Sequence, residues 1–406
     1  LNNNLPKEDF KVTDIIVFTN EEIKKMFMEL YKNNSVNDSK RMLSGILQKR
    51  LSNISDELID KLTNTRKKKI EEIDQNLDEE EINKIRLNIF KETEYEIQQL
   101  FKGGKKLVQD YLKNFKVEKA LTLYKKLINK KEFFENYISD DLYMYILDNF
   151  KRNVKLKKIE YEDLTPLFYL QNKFWGNINE LNLKHIVIDE AQDLGEFQFY
   201  IFKEILKPNV SMTILGDIAQ GIYSYKGTNN WQKLNQNVFD NQASIEVLKE
   251  SYRTSMEIMN EANTIINKIV DNENIILAQP IERHGDKVEH WKVDSENSKI
   301  IKICEIIKKQ LEVGHINIAI ITKDFNESIE LYKEITNYGI DVELISENLD
   351  KYTGGTIIIP SYLSKGLEFD SVIISDSNKY SENILDTKLL YVACTRAMHT
   401  LDIIIK

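Results

Sequence analysis

Residues 185–193 read His-Ile-Val-Ile-Asp-Glu-Ala-Gln-Asp, an apolar strand that ends in two adjacent carboxylates, Asp189 and Glu190. Paired carboxylates at a strand end can hold a divalent cation and prepare a water for attack on a phosphate. A helix cap is the plainer use of the same residues. The next apolar run repeats the arrangement: in ILGDIAQGIYSYKG (214–227), Asp217 and Gln220 follow the strand. Neighbouring strands that present acid and amide groups on one edge form a polar cradle, which a purely structural sheet does not need. Three more clusters come in order. VLKESYRTS (247–255) brings Tyr252 and Arg253, a flat ring suited to a base and a planar fork suited to phosphate oxygens. SYLSKGLEFD (361–370) carries Lys365, Gly366 and Glu368, and LLYVACTRAMHT (389–400) carries Arg396.

Such chemistry also calls for a loop to hold the phosphates, the Gly-x-x-x-x-Gly-Lys-Ser/Thr turn between a strand and a helix. Nothing ahead of residue 185 fits it. The nearest stretch, FKGGKKL (101–107), has adjacent glycines and no Ser or Thr after its lysines.

The elements that must position these residues are legible from periodicity. After residue 180, short apolar runs alternate with helical segments: 185–189, 212–216, 244–248, 288–293, 317–322, 341–345, 355–360, 371–376 and 401–405. Buried strands alternating with helices predict an α/β fold with a parallel, doubly wound sheet. Ligands in such sheets sit beyond the carboxyl ends of the strands, and each polar cluster follows one of the runs. From about residue 20 to 158 the apolar residues instead recur at helical spacing, as in Leu43, Ile46, Leu47 and Leu51, then Ile82, Ile85 and Ile89. Proline is absent from residues 7 to 165. This stretch reads as a helical arm, an antiparallel hairpin with solvated tips, or as a plain helical bundle.

Composition sets the outer bounds. A chain of 406 residues and 47.7 kDa has room for two or three domains, and 42% hydrophobic content can build their cores. No run of about 18 apolar residues exists to span a membrane, and no apolar stretch marks LNNNLPKEDF as a signal peptide. The first residue is Leu rather than Met, which fits a piece of a longer protein. Two distant cysteines, Cys304 and Cys394, in apolar settings predict unpaired thiols in a reducing cytoplasm. Five scattered histidines give no zinc-ligand spacing. A net charge of −9 argues against broad attachment to nucleic acid. Residues 101–158 run against it, with 15 Lys and Arg against 7 Asp and Glu, an excess that reads as a solvated helix face.

The order of the clusters resembles superfamily 1 helicases of the UvrD, Rep and PcrA type, from about residue 160 onward. DEAQD resembles their second motif, GDIAQGIYSYKG the third, SYRTS the fourth, SKGLEFD the fifth and YVACTRA the sixth. The resemblance implies an ATPase with two RecA-like lobes (the P-loop NTPase type), a long helical insertion, and ATP and Mg²⁺ between the lobes. On that likeness Asp189 holds the metal, Glu190 orients or deprotonates the attacking water, and Gln220 senses the terminal phosphate. Arg253 and Arg396 act as arginine fingers. Tyr252 stacks on adenine, and Glu368, beside Gly366 in the fifth motif, accepts from the ribose. Tyr225, with Lys226 beside it, stands where these helicases stack a base of single-stranded nucleic acid. The implied domains are a helical arm at 1–158 inserted in the first lobe, the remainder of that lobe at 159–242, and the second lobe at 243–406.

Two departures narrow the match. Ile218 and Ala219 stand where acids are common in the third motif, and only 111 residues (254–364) separate Arg253 from Lys365. Unwinding members carry a large extra domain in that span. YEDLTPLFYL (161–170), just ahead of KHIVIDEAQDLGEFQF (184–199), is similar to the HelD family, cytoplasmic ATPases that bind RNA polymerase core and release it from stalled complexes. That likeness implies that the phosphate loop lies upstream of Leu1 and that this chain alone turns over little ATP. A 3′ to 5′ DNA helicase or translocase of the UvrD type in DNA repair, bound to single-stranded DNA, is the alternative. A non-enzymatic binding module is a third reading.

Overall fold

The computed structural model describes residues 5–12, 15–74, 78–102, 104–176, 183–205, 210–223, 225–270, 274–347 and 354–406. The chain divides into two compact units, Leu1–Asn182 and Leu183–Lys406.

The first unit is helical, as the spacing predicts, with one hairpin that the spacing does not announce. Strands β1 (Phe10–Val12) and β2 (Ile15–Phe18) pair antiparallel. Among the described residues the α-helices that follow are α1 (Asn20–Tyr31), α2 (Val36–Asn53), α3 (Ser55–Glu71), α4 (Glu79–Phe101), α5 (Lys105–Tyr111), α6 (Ala120–Ile128), α7 (Asp140–Lys155) and α8 (Tyr161–Trp175). Side chains set their starts: Thr19 and Glu22 form a capping box on α1, and Ser35, Asp78 and Ser139 cap α2, α4 and α7. Leu43, Leu47 and Leu51 of α2 are fully buried with Ile23 and Phe27 of α1, whereas Ile46 of the same periodic run faces solvent. Helices α3 and α4 lie side by side, with Arg66 over the Phe90 ring and Leu58 and Leu62 sharing the core with Ile97 and Leu100. Among the described residues no helix is long and apolar enough to cross a membrane.

The second unit is the predicted α/β fold. Its elements are β3 (His185–Ile188), α9 (Glu196–Ile205), β4 (Ser211–Ile214), α10 (Trp231–Phe239), β5 (Glu250–Ser251), α11 (Met256–Ile266), β6 (Gln279–Pro280), β7 (Glu289–Lys292), α12 (Glu296–Val313), β8 (Ile318–Thr322), α13 (Phe325–Asn337), β9 (Glu343–Leu344), β10 (Thr356–Pro360), β11 (Phe369–Ile374), α14 (Ile384–Cys394) and β12 (Ala397–Ile405). Six strands form one parallel sheet in the order β7-β12-β11-β8-β10-β9. Burial on both faces explains why its strands read as unbroken apolar runs. Alternate residues go to opposite cores. Ala319, Ile321, Ile357, Ile359, Val372 and Ile374 pack with α11 and α14, while Ile318, Ile320, Ile358 and Ile373 pack with α12 and α13. Cys304 and Cys394 are buried and free, as expected.

Strands β3 and β4 form a separate parallel pair, and β5 and β6 another. One face of β3–β4 packs on α9 and α10 through Ile188 and Ile214. The other carries exposed His185, Val187, Ser211 and Thr213, with His185 bridging Ser211 and Thr213.

The run at 244–248 is not a strand. Residues 244–249 have no regular structure, and Ile245, Val247 and Leu248 are exposed. Strand propensity alone does not make a strand, which must pair with a neighbour. Ile214–Ile218 and Ser244–Leu248 both line a cavity of about 430 Å³, and among the described residues 244–248 forms no pairing with the free edge of β4.

Candidate nucleotide site

Asp189 and Glu190 leave the end of β3 as anticipated. Glu190 adopts the left-handed region (φ 51°), an uncommon conformation for a residue with a side chain and one that clusters at functional sites. Two contacts hold the turn: the Glu190 amide donates to Asp189 Oδ1 (2.8 Å), and the Ala191 amide donates to the Leu215 carbonyl at the end of β4 (2.9 Å). Both carboxylates are exposed. Beyond β4, Asp217 accepts from the Ala219 amide (2.9 Å) and from Gln220 Nε2 (2.9 Å), so the acid and amide of the second run are one bonded unit.

Arg253, Glu368 and Arg396, from farther along the same unit, meet this edge. Arg396 is 1% exposed, and its guanidinium donates to the carbonyls of Val392 (3.0 Å) and Leu367 (3.3 Å), to Thr395 Oγ1 (3.2 Å) and to Gln220 Oε1 (3.2 Å). Burial lowers its pKa, as does the nearby charge of Arg253, while Glu190 and Glu368 act in the opposite sense. Arg253 Nε pairs with Glu368 Oε1 at 2.8 Å. The structure therefore brings Glu190, Gln220, Arg253, Glu368 and Arg396 together from five separate stretches of sequence. Gly366 lies two residues from Glu368 with a left-handed backbone (φ 82°) that favours glycine.

One spatial expectation needs correction. Glu368 and Arg396 follow apolar runs in sequence, yet they stand immediately before β11 and β12, at the amino ends of those strands. The β3–β4 pair offers carboxyl ends and the six-stranded sheet offers amino ends. The rule about carboxyl ends holds for only one side of the site.

The remaining candidates are peripheral. Tyr252 is 62% exposed, and its hydroxyl donates to Glu250 (2.5 Å). Tyr225 is 76% exposed, and the Lys226 ammonium lies over both the Tyr223 ring (4.8 Å) and the Tyr225 ring (5.6 Å), a cation flanked by flat faces. Sequence reasoning gave no role to three residues that the site uses. Lys365 Nζ pairs with Asp193 (2.7 Å) and Glu190 (3.3 Å). Arg283 donates to the carbonyls of Tyr252 and Arg253. Gln192, 1% exposed, contacts both strand-end clusters. Gln192 and Asp193 lie inside the quoted DEAQD and Lys365 inside SKGLEFD; Arg283 carries no sequence signal.

Two family profiles match the chain: the UvrD/REP helicase N-terminal domain over residues 7–238 and the UvrD-like helicase C-terminal domain over residues 357–404. The chain belongs to the UvrD/REP helicase family. Similar proteins include one of Mycoplasma capricolum named as a DNA helicase II homologue, 29% identical over 51% of this chain and 26% of that protein. The ATP-dependent DNA helicase PcrA of Staphylococcus epidermidis is 24% identical over 54% of this chain and 26% of its own length. The ATP-dependent DNA helicase Rep of Buchnera aphidicola is 27% identical over 53% and 33%. The chain thus spans about a quarter to a third of these relatives. The first profile takes in the helical unit as well as β3 and β4, so the helices are part of the family's domain rather than a foreign attachment.

Proposed function

We propose that the chain is part of a superfamily 1 helicase-type ATPase that acts on nucleic acid, with 1–158 as a helical arm, 159–242 as the rest of the first lobe and 243–406 as the second lobe. The convergence of Glu190, Gln220, Arg253, Glu368 and Arg396 carries this reading. The donor set suits ATP with Mg²⁺. Among the described residues no cluster of three or more His, Cys, Asp or Glu makes a protein cage, and Mg²⁺ usually takes one or two carboxylates plus substrate phosphates. Asp189 would hold the metal, which neutralises charge on the phosphates. Glu190 would orient the attacking water, Gln220 and the two arginines would contact the terminal phosphoryl group, and Tyr252 and Glu368 would face the nucleoside. Tyr225 and Lys226 would take a single-stranded base.

A finer reading has its own support. The short span between Arg253 and Lys365 and the helix-rich first unit favour a HelD-like role in the cytoplasm, releasing RNA polymerase core from nucleic acid, over strand separation. Two experiments test these readings. The sequence holds no Gly-x-x-x-x-Gly-Lys-Ser/Thr loop, so this chain alone is expected to show negligible magnesium-dependent ATP hydrolysis; robust turnover abolished by Glu190→Gln would refute that. Binding to bacterial RNA polymerase core, run beside single-stranded DNA at physiological salt, separates the HelD-like reading (polymerase preferred) from the translocase reading (DNA preferred).

A further inference from the structure

Glu190 and Arg396 are 206 positions apart, yet an unbroken line of hydrogen bonds joins them. Gln192 Nε2 donates to Glu190 Oε2 (2.5 Å), and Gln192 Oε1 accepts from the Asp217 amide (3.0 Å). Asp217 Oδ2 accepts from Gln220 Nε2 (2.9 Å), and Gln220 Oε1 accepts from Arg396 Nη2 (3.2 Å). Gln192 is the hinge pin of this line. Its carbonyl accepts from the Thr228 amide (3.1 Å), and the surrounding backbone is shaved to admit it: a Cβ at Gly216 would lie 2.6 Å from Gln192 Oε1, and one at Gly227 would collide with the Gln192 carbonyl. A buried amide that spends both ends on two separate strand-end clusters fixes their relative placement in a way that an apolar side chain of equal size would not.

We propose that Gln192 is the positioning residue of the site: it sets the rotamer of the water-orienting Glu190 against the Asp217–Gln220 pair and so couples that carboxylate to Arg396 on the second lobe. The inference rests on the roles given to Glu190 and Arg396 above. Gln192 acts through its two partners, Glu190 and Asp217, rather than on nucleotide or metal. Where the complete ATPase is assayed, Gln192→Met should lower kcat and leave KM for ATP within about twofold.

The deciding experiment needs no nucleotide, so its failure and a failure of the ATPase reading remain distinct. Amide hydrogen exchange, read by NMR on the 406-residue chain, is compared for the native protein, Gln192→Met and the swapped pair Glu190→Gln with Gln192→Glu. Gln192→Met should speed exchange at Asp217 and Ala219 by about tenfold and leave Ile320 and Ile373 in the central strands unchanged. It should also move the side-chain amide resonance of Gln220, which Gln192 does not hydrogen-bond. The swapped pair keeps one carboxylate and one amide, so position 190 can donate to position 192 while position 192 still accepts from Asp217; it should keep the Asp217 amide protected, which gives a readout even where the methionine variant folds poorly. Unchanged exchange at Asp217 and Ala219 in Gln192→Met, a uniform rise across the whole second unit, or lost Asp217 protection in the swapped pair would each overturn the proposal.

Discussion

At the scale of the residue, the site depends on donors that cannot be interchanged. Arg396 fills four acceptors from a buried position, and the planar fork of a guanidinium is what lets one side chain reach them all. Arg396→Lys keeps the charge and loses the fork, so it should destabilise the second unit by about 2 kcal/mol, seen as a lower urea midpoint. Elsewhere, Lys299 and Lys406 hold the Glu296 carboxyl down to about 2. A depressed carboxyl contributes stability that is present above its ordinary value and lost as pH falls toward the folded value. Thermal stability should therefore drop between about pH 4.5 and pH 2, and Glu296→Gln should flatten that part of the profile. Glu190, Gln220 and both arginines, which the structure gathers in one place, were visible in the sequence because acid, amide and guanidinium stand out against apolar strands. Gln192 was not: a glutamine two positions past a glutamate reveals nothing until burial shows where its amide is spent.

At the scale of the element, the sheet was legible to the extent that burial is symmetric. Strands β8 and β10 are buried almost throughout, and sequence and structure agree on them within one residue; β11 begins two residues ahead of its apolar run and β12 four, where Asp370, Met398 and His399 interrupt the burial. Ile320 sits in the centre, fully buried, and Ile320→Ala should cost about 2–5 kcal/mol through lost burial and the cavity left behind; a change below about 1 kcal/mol in the unfolding of the second unit would show that the site collapses freely. The run 244–248 has equal strand propensity and forms no strand, because pairing is a property of two segments and periodicity reads only one. The amino-end placement of Glu368 and Arg396 was hidden for a related reason: order along the chain says which run a residue follows, and only the crossover says at which end of the sheet it lands. The short β1–β2 hairpin falls below the length at which alternation can be recognised.

At the scale of the whole molecule, the division into a helical unit and an α/β unit follows the change in apolar period near residue 180. Net charge and local charge differ in sign over 101–158, an excess that reads as a solvated helix face. The open side of β4 has a consequence for the protein in the test tube. Leu248 is 91% exposed beside Val247 and Ile245, across a cavity from a strand that among the described residues pairs on one edge only. Bare edges next to apolar side chains recruit other chains. Light scattering of the isolated chain should rise with concentration and with storage time, and Leu248→Lys, which removes no buried contact, should slow that rise without moving the melting temperature. The working lifetime of a purified sample would then be set by a five-residue stretch that takes no part in the chemistry.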